Sequence, residues 1–283
     1  MARQKHKYEY NPDSNHAGTK VMRMVGMKKN VLELGCGPGS ITRLLKANQC
    51  HVTALEQDLE AIKIATKFCK QIYYCDLNNP EWPTIFNDSE KFEVVVASDV
   101  LEHLYDPWTT LTNLNKLLTE DGYIVISLPH IGHNSIIACL LNGDFEYQPW
   151  GLLDKTHIRF FGIKDVQRLF NDMGFKIVEA DFVIKSPEQT EFAGHWRKIS
   201  SETKKILSTN KFGSIYQVVV KAVPYTALGK GLQITSLSLP DPSTGSYSIG
   251  VRNNHFLGFI LSFLSLRKRE KIFRVLERIG LKF

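Results

Sequence analysis

Five short apolar runs alternate with helical patterns through the first half of the chain, and this alternation constrains the fold more than any other feature. The runs are "NVLELG" (30–35), "HVTALE" (51–56), "QIYYCD" (71–76), "FEVVVASD" (92–99) and "GYIVISLP" (122–129). Most are almost continuously apolar, as strands covered by helices on both faces must be. Helical patterns occupy roughly 39–48, 58–70, 108–119 and 133–141, and "GIKDVQRLFNDMGF" places Val166, Leu169, Phe170 and Met173 at helical spacing before Gly174 as a stop. "FKIVEADFVIK" and "SIYQVVVKAVP" supply two further strands with no helix-length apolar pattern between them, so they are expected to pair antiparallel at the sheet edge. The sum is an α/β chain: a Rossmann-like, doubly wound, seven-stranded sheet with its last strand antiparallel. The expected organisation is an N-terminal lid and helix over 1–29, a main domain over 30–224 and a C-terminal helical extension over 225–283.

The first strand runs into Gly35, Gly37 and Gly39 with a helix behind them, a loop that lets a ligand approach the backbone closely. A phosphate loop requires a lysine that is missing here, and the dinucleotide fingerprint requires glycine where Ser40 stands. Glu33 precedes the loop, and Glu56 ends the second strand seventeen residues after the last glycine, placed to accept hydrogen bonds from both hydroxyls of a ribose. Asp76 ends the third strand, placed to accept from an exocyclic amine such as that of adenine. No positive charge is offered to a phosphate. A nucleoside that carries its own cation, S-adenosylmethionine (SAM), matches that set.

Residues 31–129 resemble the class I SAM-dependent methyltransferase family through "LELGCGPG", "ALEQD", "YCDLNN", "VVVASDVLEHLYDP" and "LLTEDGYIVISLP", in that order. The resemblance implies cofactor contacts at Glu33, Gly35, Cys36, Gly37, Gly39, Glu56, Gln57, Asp76, Ser98, Asp99 and Val100, with Leu77 near the adenine. A non-catalytic SAM-binding protein is the rival from another class.

Methyl transfer to a hydroxyl calls for a base, and the candidates follow the fourth and fifth strands, where open α/β sheets bind their ligands. His103 in "DVLEHLYDP" and His157 in "LLDKTHIRFFGIKDV" are the expected catalytic residues. Asp154 and Arg159 flank His157 as acceptor contacts, or alternatively as a structural ion pair holding the loop. His130 and His133 follow the fifth strand, and Tyr8, Tyr10, Asn15 and His16 suit a lid that excludes water. Asp99, Glu102 and His103 resemble part of a divalent-metal site of some quinone-type O-methyltransferases. Asp106 stands where that pattern has its second histidine, so no metal is expected.

"YEYNPDSNHAGTKVMRMVGMKKNVLELGCGPG", "SDVLEHLYDP" and "DKTHIRFFGIKDVQRLFNDMGF", within residues 8–185, are similar to methyltransferases of bacterial surface-polysaccharide biosynthesis. This implies a sugar or glycan hydroxyl as acceptor; the alternative is a small molecule of quinone or natural-product type. Nucleic acid is disfavoured, because the fourth-strand motif is not of the amine-methylating type and the body is nearly neutral. Of the net charge of +6, most lies after Leu261, with seven Lys/Arg against two acids. There the apolar stripe from Ile272 makes a basic amphipathic helix suited to a membrane interface. Five scattered cysteines without a CxxC pair and no apolar signal segment point to a cytoplasmic protein, peripheral on the inner face of the membrane if that helix docks.

Overall fold

A computed structural model describes residues 15–239 of the chain. Its single sheet has the order β3-β2-β1-β4-β5-β7-β6. The strands are β1 (Asn30–Leu34), β2 (His51–Glu56), β3 (Gln71–Tyr74), β4 (Phe92–Ser98), β5 (Leu118–Pro129), β6 (Phe175–Ile184) and β7 (Ile215–Pro224). β1 to β5 are mutually parallel, and β7 runs antiparallel between β5 and the edge strand β6. The last strand is thus antiparallel, as expected.

Helices α1 (Ala17–Val25), α2 (Ser40–Ala47), α3 (Leu59–Ala65), α4 (Pro107–Leu117), α5 (Asn134–Leu141), α6 (Ile163–Asp172), α7 (Ala193–Lys198) and α8 (Ser201–Leu207) complete the fold. The sheet divides the apolar interior into two layers. Leu111, Leu114, Val166 and Phe170 from α4 and α6 fill one; Val21, Val25, Ile41 and Leu45 from α1 and α2 fill the other. Both faces of the central strands are therefore buried, which is why they read as unbroken apolar runs.

Two expectations are adjusted. The helix expected over 58–70 stops at Ala65, because Thr66 turns its hydroxyl back onto Ile62 and the Phe68 N–H closes a tight turn onto Ala65. Two helices, α7 and α8, stand between β6 and β7 where none was expected. At six and seven residues, with burial only at His195 and Trp196, they are too short to display an apolar period.

α1 belongs to the body. Lys20 and Asp181 form an ion pair at 3.0 Å, and Arg23 stands 2.8 Å from the other Asp181 oxygen, tying α1 to β6. The first part of the C-terminal extension also packs: Leu232 N–H donates to Ile177 O, Ile234 N–H to the Gln167 side chain, and Ile234 is fully buried. Tyr8, Tyr10 and the basic amphipathic helix lie outside the described residues.

Candidate active site

The parallel strands end along one edge, and the loops that leave them there build the site. Gly35, Gly37 and Gly39 all take positive φ, the region that favours glycine. At Gly35 a Cβ would stand 3.0 Å from Val100, and at Gly39 it would meet Phe68 at 3.0 Å and the Ala65 backbone at 3.3 Å. The loop thus lies directly against the start of the β4 loop. Glu56 closes it from beside: its carboxylate accepts from the N–H groups of Gly37 (2.7 Å), Gln57 and Asp58 (both 2.8 Å). Asp76 is exposed and accepts from Asn78 N–H, and the Asn78 side chain in turn accepts from Tyr105 N–H at 2.8 Å, linking the β3 and β4 loops. Leu77 packs on the core.

Glu33 is buried at the root of the loop, one carboxyl oxygen has no hydrogen-bond partner, and burial raises its pKa from the ordinary 4.5 to about 8. An unmatched buried carboxyl beside an open glycine loop fits the ammonium of an amino-acid-bearing ligand. Cys36 is also buried and burial pushes its thiol up, so it serves packing.

Asp99 sits at φ +55°, unusual for a non-glycine residue. Its carboxylate accepts from Ser127 Oγ (2.8 Å) and Gln217 Nε2 (2.9 Å), and Ser98 and Ser127 share a hydrogen bond at 2.9 Å. Backbone strain held by such a network is characteristic of functional sites. Ser127 and Gln217 were not among the expected residues. Their signal was a polar side chain interrupting an otherwise apolar strand.

Beyond Asp99 the chain makes a single 3₁₀ turn, Leu101–His103. His103 Nδ1 lies 3.0 Å from Thr156 O, so it carries the proton and leaves Nε2 as the acceptor. The His103 and His157 rings meet edge to face at 4.8 Å. His157 is buried, with Nδ1 3.2 Å from Leu152 O and Nε2 3.9 Å from Glu102. Glu102 is wholly buried, neither carboxyl oxygen has a hydrogen-bond partner, and burial with the charges of Asp99 and Asp154 raises its pKa well above the usual range.

Of the other expected contacts, Asp154 and Arg159 do not pair. Asp154 caps Thr156 through its N–H and hydroxyl, whereas Arg159 donates to Tyr105 O and lies over Trp108. Each charge is engaged by a nearby group instead. His133 is structural: it caps α5 and reaches Lys185 O at 3.0 Å, and burial lowers its pKa to about 4. His130 is likewise lowered to about 4 by burial, with neither ring nitrogen hydrogen-bonded. His16 is exposed just ahead of α1. Among the described residues, Glu102, His103 and His157 bring one donor atom each within 4.8 Å, as do Asp144, Glu146 and His195. A hydrogen bond of 2.9 Å between His195 and Glu146 accounts for the second group.

A family profile described as "Methyltransferase domain" matches residues 11–180. Two curated relatives are named ubiquinone biosynthesis O-methyltransferase. That of Glaesserella parasuis is 28% identical over 105 residues, covering 35% of this chain and 44% of that protein. That of Psychrobacter arcticus is 25% identical over 169 residues, covering 57% and 64%. The chain thus spans less than two thirds of either relative. The fold is similar to a SAM-dependent methyltransferase from Archaeoglobus fulgidus, with TM-score 0.52 and 17% identity over 72% of this chain and 91% of that one. The chain belongs to the methyltransferase-domain family.

Proposed function

We propose that the protein methylates a hydroxyl on a small aromatic, quinone-type acceptor, with His103 as general base. The observation that carries the chemistry is the hydrogen bond from His103 Nδ1 to Thr156 O. It selects one tautomer and turns Nε2 into a proton acceptor beside the cofactor loop. The names of the relatives support the acceptor class and favour it over the sugar or glycan hydroxyl expected from sequence.

SAM supplies a methyl group already activated on a sulfonium. The protein's own residues then position and deprotonate. The glycine loop and Glu56 shape the cofactor cleft, Glu33 receives the ammonium, and Asp99 with Ser127 and Gln217 holds the β4 loop rigid. His103 Nε2 would take the hydroxyl proton as the acceptor oxygen bonds to the methyl carbon and the carbon–sulfur bond breaks, its electron pair remaining on sulfur as a neutral thioether. The buried ring of His157 holds His103 at its angle. A quinone-type acceptor with an apolar tail also suits a cytoplasmic protein at the inner membrane face through the basic C-terminal stretch. No helix among the described residues is long and apolar enough to cross a membrane.

The test is turnover of labelled SAM against catechols, quinol precursors, sugar nucleotides and lipid-linked sugars. Methylated catechol or quinol is expected. Methylation confined to the sugars would restore the glycan reading, and cofactor binding without turnover would indicate a non-catalytic binder.

Glu33 yields a second expectation. With its pKa raised to about 8, the folded protein keeps this proton through neutral pH, whereas the unfolded chain has lost it. Stability from this group therefore falls as pH rises from about 4.5 towards 8, by about 1.4 kcal/mol per pH unit. Binding S-adenosylhomocysteine (SAH), which brings an ammonium, should release close to one proton near pH 6.5. Titration calorimetry in two buffers of different ionisation heat measures this release, and Glu33→Gln should abolish it.

A further inference from the structure

We propose that Lys185 is an anion-binding residue of the acceptor site, its ammonium taking a carboxylate or phosphate group carried by the molecule to be methylated. The inference rests on the acceptor half of the site assigned above, and it names the charge that this half recognises.

Lys185 follows directly on β6, at the sheet edge where the acceptor side is built. It is half-buried, and its Nζ stands 3.6 Å from the centre of the Tyr216 ring. Among the described residues no carbonyl or carboxylate hydrogen-bonds that ammonium. Taking a charge out of water without an opposite partner is costly, and a ring face offsets only part of that cost. Burial accordingly lowers the Lys185 pKa, with Glu191 acting in the opposite sense.

The same contact occurs elsewhere in the fold in a completed form. Lys221 lies 3.7 Å over the Tyr123 ring, but its ammonium also donates to Met24 O at 3.4 Å. At Lys185 that oxygen is what is lacking, and an acceptor anion would supply it.

Glu191, the nearest acid, is engaged otherwise. It accepts from the Tyr216 hydroxyl (3.0 and 3.2 Å) and from Leu152 N–H at 2.6 Å. The carboxylate lies so close to Gly151 that a Cβ there would stand 2.1 Å from it. These contacts lead to the proposed base. Leu152 O meets His157 Nδ1 at 3.2 Å, and the His157 ring meets His103 at 4.8 Å. Around Lys185 itself, His133 bonds its carbonyl, its own N–H donates to Ser214 O at 2.9 Å and Asn15 donates to Ile184 O at 2.6 Å, so three separate chain segments fix its backbone. The backbone of Lys185 is thus fixed at the end of β6, on the same edge of the sheet as the loops that follow β4 and β5. That arrangement suits an acceptor with its hydroxyl at one end and its negative charge at the other.

The full-length protein saturated with SAH is titrated calorimetrically with 4-hydroxybenzoate and, in a separate arm, with inorganic phosphate. At least one anion is expected to bind, about tenfold or more weakly in Lys185→Gln and close to wild type in Lys185→Arg, with unchanged SAH affinity. Preference for the carboxylate points to an aromatic acid, and preference for phosphate to a phosphorylated acceptor. Should Lys185→Gln misfold, protection of wild-type Lys185 from acetic anhydride by the same anions, read by peptide mass, gives the answer. Absence of binding, or equal binding by wild type and Lys185→Gln, overturns the assignment, as does absence of protection. Because the titration needs no turnover, it is decided separately from the acceptor class. A panel without product removes the aromatic reading only, whereas product without anion binding removes only the role of Lys185.

Discussion

Asp181→Ala is expected to lower the unfolding free energy by about 3–5 kcal/mol, the cost of removing one partner from a buried ion pair. Asp181 is fully buried, as is nearly all of Lys20, and they meet at 3.0 Å. The same Asp181 oxygen also accepts from Phe182 N–H at 2.7 Å. Arg23, which approaches the second oxygen, is half exposed and returns to water when the carboxylate is removed. Lys20 lacks that route, because α1 presses it against the sheet. The expected drop in melting temperature is roughly 10 °C for a body of this size, measured by calorimetry. The double replacement Lys20→Met with Asp181→Leu should recover most of the loss, since it removes both charges and keeps the volume. A melting point unchanged in Asp181→Ala would show that α1 is held by its apolar face alone.

The second large effect is catalytic. His103→Ala is expected to reduce kcat by roughly 10²–10⁴-fold, the range over which a positioned base contributes. SAH affinity and melting temperature should stay near wild type, because the ring is only half-buried and its one hydrogen bond is to a loop carbonyl. The pH profile should distinguish a base from a strut: if the imidazole takes the proton, an acidic limb of kcat is expected in the wild type and lost in the variant. His157→Phe keeps the edge-to-face contact of 4.8 Å and should retain far more activity than His103→Ala. Similar losses in both variants, with the acidic limb intact, would make His103 a structural element of the loop.

Glu33, the glycine loop and Glu56 lie within a short stretch, and their arrangement follows from local rules. An apolar strand, glycines free to take positive φ and an amphipathic helix define a strand–loop–helix unit without help from elsewhere. For that reason the strand–loop–helix unit was legible in the sequence. The acceptor half was legible as residue types but not as partnerships. Asp154 and Arg159, five residues apart, resembled an ion pair but turned to separate backbone partners. The helices α7 and α8 were too short for periodicity to register.

The sequence alone determined the fold class and the seven strands, and it singled out SAM as the expected cofactor and His103 as a candidate base. These depend on patterns whose period is set by the backbone of one element. Tertiary structure alone decided that Gln217 braces Asp99 across 118 positions, that Thr156 orients His103 across 53, and that Lys20 is buried against Asp181 across 161. It also decided that β7 enters between β5 and β6, which brings Tyr216 beneath Lys185. Such pairings leave no periodic trace, because they arise only when distant strands settle side by side and each buried polar group must find its partner in the neighbour that results.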